Sequence, residues 1–392
     1  MENAASGAPL DQGNSGQNPP PGLPGPVFDA HVDSLARAVD LGEDLTQAGS
    51  GHLDLPRAAA GGLGTVVMAC WPDPEHFPPH APGQGGPAAP PSAARLRTEA
   101  LLDAYDELLA RAPDKVLAVG DGRDLQRARA SGRLGVVAGI EGGHALDESL
   151  AVLEHFYRRG VRVLTLTWNN HLSWARSCCA GAGSEIPAGL SEFGRAIVRR
   201  MNELGMVIDL SHVGEQTFYD ALETSGQPLI ASHSACRSLS DHPRNLDDDQ
   251  LRALAAKGGV LGIVFCTLFL DCKVGADEFA IAETAAWRAT EELAPTERFF
   301  ARGELLQAAL PPFPMQPVVD HIVHAAEIMG VEHVGLGSDF DGIFRRPAGL
   351  EDVTGFPRLA AALLDHGFTR EDVSRILGGN LSDLFARITA RQ

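Results

Sequence analysis

The sequence is short of positive charge and of cysteine, and it has no long apolar run. It carries 32 Lys and Arg against 51 Asp and Glu, a formal net charge of −19, so neither a nucleic acid nor an anionic membrane is expected as a partner. No run of 18 apolar residues occurs, which argues against a membrane-spanning helix. The six cysteines form no C-x-x-C pair, so we expect buried free thiols rather than a disulfide framework.

Both ends of the chain lack targeting features. The first residues contain neither a basic segment nor the apolar segment of a signal peptide, and the last residues form no hydrophobic anchoring tail. We therefore expect a cytoplasmic protein. Residues 1–25 are rich in Gly, Pro, Asn, Gln and Ser, a composition that predicts a disordered lead-in.

Residues 26–392 read as a single domain in which apolar runs alternate with helix-like stretches. The runs are nearly continuous in Val, Ile and Leu, as in strands buried on both faces of a parallel sheet. They cover Pro26–Asp33, Gly64–Trp71, Leu134–Gly143, Val161–Asn170, Met206–His212, Pro228–Ser234, Gly258–Cys266 and His333–Gly342. Eightfold alternation predicts an α/β fold, a (β/α)₈ barrel of the TIM type, with a doubly wound open sheet as the alternative.

Two features depart from this regular pattern. Residues 267–314 are predicted to be an insertion before the last strand, with a helical segment of their own. At the end of the chain a helix is predicted over Arg370–Leu377, closed by Gly378 and Gly379, because glycine often ends a helix.

Five of the eight runs end in side chains that can bind metal ions. Buried strands rarely carry such groups, because an unpaired charge there costs several kcal/mol. In a barrel the carboxyl ends of the strands converge on one mouth, so we expect these residues to meet in one pocket; isolated structural histidines are the alternative. The segments are His31-Val32-Asp33, Glu141-Gly142-Gly143-His144, Asp209-Leu210-Ser211-His212, Ser232-His233-Ser234 and Ser338-Asp339-Phe340-Asp341.

The ligand types predict two divalent ions. His31 and Asp33 are two residues apart on a strand and point the same way, so they can bind one ion together. Imidazole with carboxylate suits Zn²⁺, and also Mn²⁺, Co²⁺ or Fe²⁺. Three histidines and three carboxylates exceed the needs of one zinc ion and match a pair of ions. Glu141 is the natural bridge, since each of its oxygens can hold one ion.

Several polar residues beside these candidates have open roles. His144, Asp209 and Asp341 are expected either to orient the ligand rings or to act as helix caps and turn residues. Three further histidines, at positions 52, 76 and 80, fall in predicted loops and are expected to be solvated.

The motifs, taken in order, resemble the renal (membrane) dipeptidase family of the amidohydrolase superfamily. The resemblance runs from about Phe28 to Leu384, nearly the whole chain, and the motifs are highly specific as a set. They are Asp29-Ala30-His31-Val32-Asp33, Gly139-Ile140-Glu141-Gly142-Gly143-His144, Leu164-Thr165-Leu166-Thr167, Asp209-Leu210-Ser211-His212, Ser232-His233-Ser234, Arg244-Asn245, Gly337-Ser338-Asp339-Phe340-Asp341-Gly342 and Gly378-Gly379-Asn380.

This resemblance implies a binuclear zinc dipeptidase, which could be a homodimer as well. His31, Asp33 and Asp339 would hold the first ion, His212 and His233 the second, and Glu141 both. Arg244 matches the arginine that grips the carboxylate of the substrate, a task that suits a guanidinium fork.

The chain departs from the renal branch at the substrate. That branch has a histidine directly after Leu-Thr-Leu-Thr, which contacts the developing oxyanion, and here the position is Trp168. His171 is the first choice for a replacement donor, with Asn169 or Asn170 as alternatives. A tyrosine of the renal branch that helps to hold the carboxylate is replaced near Cys266.

The predicted function is hydrolysis of dipeptides by a hydroxide that bridges two metal ions, with a small molecule as the partner. Asp339 would relay a proton to the leaving amine, and His171 or Asn169 would stabilise the oxyanion. Alternatively, Trp168 and the insertion adapt the same centre to an N-acyl amino acid, a cyclic amide or a lactone. A third hypothesis is a binding module with a vestigial site.

Overall fold

The structure, a computed structural model, describes residues 22–179 and 186–390. The predicted lead-in therefore lies outside the described residues except for residues 22–25. The described chain contains nine β-strands, β1 to β9. They span Val27–Val32, Leu63–Cys70, Val116–Ala118, Leu134–Glu141, Val161–Thr165, Val207–Asp209, Ile230–Ser234, Val260–Ile263 and Val334–Leu336.

Eight of these strands form a closed parallel barrel in the order β1-β2-β4-β5-β6-β7-β8-β9. The barrel closes where β9 returns to β1, with Asp29 paired to Leu336. The predicted (β/α)₈ barrel is thus confirmed, and closure rules out the doubly wound open sheet. The remaining strand, β3, pairs with the first residues of β4; at three residues it is too short to stand out as an apolar run.

Helices connect the strands and cover the outside of the barrel. Four of them lie in residues 267–314, the stretch predicted as an insertion. The described helices, α1 to α16, are Leu35–Asp40, Leu55–Gly61, Ala93–Arg111, Gly122–Ser131, Leu150–Arg158, Glu192–Leu204, Glu215–Thr224, Asp248–Ala256, Thr267–Leu270, Gly275–Ala282, Ala285–Ala289, Pro295–Ala309, Gln316–Met329, Phe356–His366, Arg370–Ser374 and Asn380–Thr389.

Local sequence explains several helix ends. The Ser191 hydroxyl accepts a hydrogen bond from the Gly194 amide at the start of α6, and Gly205 ends that helix in a left-handed conformation. α8 begins with a capping box formed by Asp247 and Gln250. In the described parts of the chain, no helix combines the length and apolar character needed to cross a bilayer.

The barrel interior is apolar and is closed at one end by α16. Val137, Val163 and Val207 of the strands belong to one buried cluster with Leu381 and Phe385 of that helix. Phe385 also packs against Phe28, near the start of β1, with ring centroids 6.3 Å apart. The amino-terminal end of the barrel is therefore filled, and the carboxyl ends of the strands form the open mouth.

The prediction that Gly378 and Gly379 close the last helix is wrong. α15 continues through a π-helical turn, Arg375–Gly379, directly into α16. A Cβ added to Gly378 would lie 2.6 Å from the Pro26 carbonyl oxygen and 2.7 Å from the Phe28 nitrogen. This glycine thus allows the helix to approach β1 closely and does not end it.

The six cysteines are free thiols, but the prediction of burial is right for only some of them. Cys70 and Cys236 are buried, whereas Cys179 is exposed and the other three are half-buried. Cys179 follows the apolar run of β5 by several residues and lies in the loop before α6, so proximity to an apolar run is not enough to bury a thiol.

Replacing Gly378 by alanine is expected to destabilise the protein by about 1–3 kcal/mol, because the added methyl group would overlap the backbone of β1. Gly379→Ala is the matched control in the same π-helical turn: its Cβ would lie 3.3 Å from the nearest atom, the Ser374 carbonyl oxygen. That control should be neutral or stabilising by about 0.5–1 kcal/mol, since alanine favours helix. Chemical unfolding monitored by circular dichroism measures both, and equal effects would contradict the proposed role of Gly378.

Candidate metal centre

The six predicted ligands lie together at the carboxyl ends of the strands. His31 and Asp33 come from the end of β1, Glu141 from the end of β4 and His233 from β7, while His212 and Asp339 each lie three residues beyond the end of their strand, β6 and β9. All six are buried, with at most 8% of their surface exposed. Five separate strand ends therefore contribute to one centre.

Glu141 lies between two groups of ligands. Its Oε1 is 2.8 Å from His212 Nε2 and 3.4 Å from His233 Nε2, and its Oε2 is 3.7 Å from His31 Nε2. Ligand atoms of Glu141, His212 and His233 lie within 4.8 Å of one another. Those of His31, Asp33 and Asp339 form a second such group.

The electrostatics of the centre favour a bound cation. Burial raises the pKa of Glu141 well above its usual value and that of Asp339 to about 8. Burial alone would lower the pKa of His31, but the carboxylates of Glu141 and Asp33 outweigh it and raise that pKa to about 10. Divalent ions would offset the crowding of three buried carboxylates.

Unsatisfied polar atoms point to the same conclusion. His31 Nε2 and Asp33 Oδ1 are buried and have no hydrogen-bond partner among the described residues. A Cβ at Gly342 would collide with the carboxylates of Asp33 and Asp339, so glycine leaves room for both. The residues present thus fit divalent metal ions with mixed nitrogen and oxygen ligands.

The ring of His212 is held by Asn169. The Nδ1 of His212 lies 2.9 Å from Asn169 Oδ1, and an amide oxygen can only accept, so Nδ1 carries the proton. The other nitrogen, Nε2, then has its lone pair free for an ion. Asn169 thus fixes the orientation of the His212 ring, as a hydrogen-bond partner behind a metal ligand would.

The ring of His233 is oriented through Ser232 and Asp209. Ser232 Oγ donates to Asp209 Oδ2 at 2.6 Å and lies 2.8 Å from His233 Nδ1, from which it can accept. A carboxylate oxygen of Asp209 and ring nitrogens of His31 and His233 lie within 4.8 Å of one another, so these three residues could also hold an ion. However, the oxygens of Asp209 already accept four hydrogen bonds, from Thr165 Oγ1, Ser232 Oγ and the amides of Ser211 and Ser232. Of the two roles expected for Asp209, the structure favours orienting a ligand ring.

Asp341 and His52 support the loop that carries Asp339. The carboxylate of Asp341 accepts hydrogen bonds from Ser34 Oγ, from Arg37 Nη1 and from the amide of His52, and the Asp341 amide donates to His52 Nδ1. The prediction that His52 is solvated is wrong, because His52 is hydrogen-bonded to Asp341 and only 5% of its surface is exposed. In the described part of the chain Asp341 forms no hydrogen bond with the predicted ligands and acts as a residue of the turn, with φ of +65°.

Asp29 is a functional candidate that the sequence reasoning missed. It is fully buried, and its carboxylate accepts from the amide and hydroxyl of Ser338 and from the amide of His31. Burial raises its pKa to about 6, although these hydrogen bonds oppose the rise. Asp29 thus joins the ends of β1 and β9, where His31 and Asp339 lie. Its position inside an apolar run was the available signal.

Arg244 provides a buried positive charge beside the centre. Its Nη2 donates to the carbonyl oxygen of His233 at 3.1 Å, and its guanidinium lies 5.2 Å from the centre of the Phe269 ring. Within residues 22–179 and 186–390 no carboxylate pairs with it. Burial and this charge together lower the pKa values of His212 and His233.

The family model of the membrane dipeptidases, peptidase family M19, matches residues 24–390. The chain belongs to this family. The family predicted from the motifs is thereby confirmed, and it is a family of metallopeptidases.

Individual relatives agree with this assignment. An uncharacterized dipeptidase of Schizosaccharomyces pombe is 36% identical over 254 residues, which cover 64% of this chain and 53% of that protein. The chain thus spans about half the length of that relative. Dipeptidase AC, a metallopeptidase of family M19, has 26% identity and a TM-score of 0.74, covering 94% of this chain and 99% of its own. A metallopeptidase from Rhodobacter sphaeroides, liganded with a phosphinate mimic of the dipeptide L-Ala-D-Ala, has 27% identity and a TM-score of 0.74, covering 93% and 99%.

Trp168, where the chain departs from the renal branch, and His144 both lie next to Gly142, the residue after Glu141. The Trp168 ring lies 6.2 Å from that of His212. His171 Nδ1 accepts from the Ser177 amide at 3.1 Å, a contact within its own loop. His144 is buried, neither ring nitrogen has a partner in the described chain, and burial lowers its pKa to about 4.

Asn169→Ala is expected to weaken metal binding by about 10–100-fold, because the ring of His212 would lose the partner that fixes its proton. Asn170→Ala is the matched control, since the side-chain oxygen of Asn170 has no hydrogen-bond partner in the described residues. Titration of the metal-loaded proteins with a chelator, followed by metal analysis, compares the two. If both variants release metal as the unmodified protein does, Asn169 does not orient a ligand.

Proposed function

We propose that the protein is a dipeptidase that hydrolyses the peptide bond of dipeptides with two divalent metal ions. The observation that carries this proposal is Glu141, buried with one oxygen toward each of two ligand groups, next to a buried arginine without an acidic partner in the described chain. Membership of the dipeptidase family supports it. So does the dipeptide mimic bound by the Rhodobacter sphaeroides metallopeptidase.

Zn²⁺ is the ion that we propose, held in the arrangement predicted from the family. His31, Asp33 and Asp339 would bind one ion, His212 and His233 the other, and Glu141 both. Such ions would lower the pKa of water and polarise the scissile carbonyl. The remaining tasks fall to residues of the chain itself.

Arg244 would bind the C-terminal carboxylate of the substrate through its guanidinium fork. Because Nη2 of Arg244 is bonded to the carbonyl of His233, a carboxylate held there lies close to the ligands. The last peptide bond of a very short peptide would then reach the centre, whereas a bond further from the C-terminus would not. This geometry favours dipeptides over longer chains.

Asp339 would carry a proton to the leaving amine. It follows β9 with φ of +61°, a conformation that non-glycine residues rarely adopt and that is often found at functional sites. Asn169 would keep the His212 ring in the orientation that binds the ion. His171 would donate a hydrogen bond to the oxyanion.

Substrate and metal can be tested together. The Zn²⁺-loaded protein should hydrolyse members of a panel of L,L- and L,D-dipeptides, bind two ions per chain by metal analysis, lose activity on dialysis against a chelator and regain it with Zn²⁺. Cleavage of N-acyl amino acids, cyclic amides or lactones with no cleavage of dipeptides would show that the same centre has another substrate. Absence of bound metal after loading would instead favour a binding module.

Arg244→Met is expected to lower kcat/KM for dipeptides with a free carboxylate by about 30-fold or more, since a buried charged contact to substrate is worth about 2–5 kcal/mol. The corresponding dipeptide amides, which are expected to be poor substrates because they lack that carboxylate, should be little affected. Arg237→Met is the matched control in the same loop, where the side chain of Arg237 donates to the Pro243 carbonyl. Equal losses for acids and amides would show that Arg244 does not bind the carboxylate.

A further inference from the structure

Two tryptophans stand together at the mouth of the barrel. Trp71 follows β2 directly and Trp168 follows β5 by three residues, and their ring centroids are 4.8 Å apart. Trp168 also lies beside the centre: its ring is 6.2 Å from that of His212, and its Cβ is 3.4 Å from the place a Cβ would take at Gly142, the residue after Glu141. The pair therefore adjoins two of the ligands.

Trp71 lies on the side of the barrel opposite the arginine, and Trp168 lies between Trp71 and His212. In the closed order β1-β2-β4-β5-β6-β7-β8-β9, β2 and β7 are four strands apart in either direction, so their ends are on opposite sides of the barrel. Arg244 is bonded to His233 of β7, whereas Trp71 extends from β2. If the substrate carboxylate is held at Arg244, as proposed above, the N-terminal residue is directed toward the tryptophans.

The environment of the pair suits an apolar side chain. Both indoles are half-buried and offer broad aromatic surfaces. The Trp71 Nε1 is buried and has no hydrogen-bond partner in the described chain. A buried donor without an acceptor is costly, and the backbone carbonyl of a bound peptide could supply one.

We propose that Trp71 and Trp168 form the subsite for the side chain of the substrate's N-terminal residue and select bulky apolar or aromatic side chains there. This inference rests on the proposed dipeptidase function and adds the substrate class. It also gives Trp168 a task of its own at the position where the renal branch has a histidine.

The first test uses the unmodified, metal-loaded protein and pairs of substrates with the residues exchanged. Phe-Ala and Leu-Ala should have kcat/KM values about tenfold or more above those of Ala-Ala, Glu-Ala and Lys-Ala, the size of effect that an apolar pocket produces. Ala-Phe should have no such advantage. A preference for Lys-Ala would overturn the apolar class, and an equal gain for Ala-Phe would overturn the assignment to the N-terminal residue.

The second test uses variants of the pair. Trp71→Ala and Trp168→Ala should each lower the ratio of kcat/KM for Phe-Ala over Ala-Ala by about tenfold, whereas Trp71→Phe and Trp168→Phe should keep most of it. Trp287→Ala is the matched control, because Trp287 is a half-buried tryptophan on α11 whose neighbours are Phe344 and Arg302. This control should leave the ratio unchanged.

The outcomes separate the two proposals. If the unmodified protein cleaves no dipeptide, the proposed function fails and the subsite fails with it. If it cleaves dipeptides but the Trp variants lose activity equally on Phe-Ala and Ala-Ala, the function stands and the subsite is refuted. Should an alanine variant fail to fold, as judged by its melting temperature and metal content, the exchanged substrates and the phenylalanine variants still decide.

Discussion

Three carboxylates and three imidazoles are buried within a few ångström of one another, and Glu141 lies between them. Burial disfavours the charged form of each carboxyl group. The cluster therefore raises the free energy of the folded protein unless positive charge lies among the carboxylates. The charge of Arg244 lowers the pKa values of Glu141 and Asp339 and so opposes the effect of burial, but Arg244 bonds to the backbone of His233 and forms no ion pair within the described residues. The hydrogen bonds around the cluster hold these groups close together, an arrangement that fits bound metal ions as the source of positive charge.

The same pair of aspartate–serine hydrogen bonds joins neighbouring strand ends at two places in the barrel. Asp209 on β6 accepts from the amide and hydroxyl of Ser232 on β7, and Asp29 on β1 accepts from the amide and hydroxyl of Ser338 after β9. In both cases a ligand comes next in sequence, His233 after one serine and Asp339 after the other. Each aspartate thus joins neighbouring strand ends where ligands emerge, and the backbone bonds leave little freedom for the ligands to move apart.

The sequence predicts which side chains meet at the mouth of the barrel because the signal is local. A buried strand is expected to be apolar, so a polar residue such as His31 or Glu141 at its end stands out in the sequence itself. Partners that are distant in sequence give no such signal. His52 is buried by Asp341, which is 289 residues away, so nothing in its own loop predicts burial. Gly378 carries the usual sign of a helix end, but the backbone of β1 is what requires the glycine.

Side-chain roles in the loops were harder to predict for a related reason. The sequence predicts Asn169 as an alternative to His171 for contact with the oxyanion. In the structure its oxygen lies against His212 Nδ1, a contact that depends on the path of the loop after β5 and that no local pattern predicts. Trp71 gives no functional signal in the sequence, because a tryptophan at the end of an apolar run is equally typical of a core residue.

The division between strands and loops has a consequence for how this barrel can change its substrate. Four of the six predicted ligands lie in a strand or directly after one, whereas Arg244 lies in a loop well beyond the end of β7, where substitutions leave the barrel intact. Trp168 and Asn169 are adjacent, however, and the side-chain oxygen of Asn169 lies against His212 Nδ1. A substitution at position 168 that shifts the loop would therefore disturb His212 as well as the proposed subsite. With Trp168 in that subsite and His212 as a proposed ligand, specificity and metal binding would be coupled at this one point, so replacements there would have to preserve the backbone path, as one aromatic ring in place of another can do.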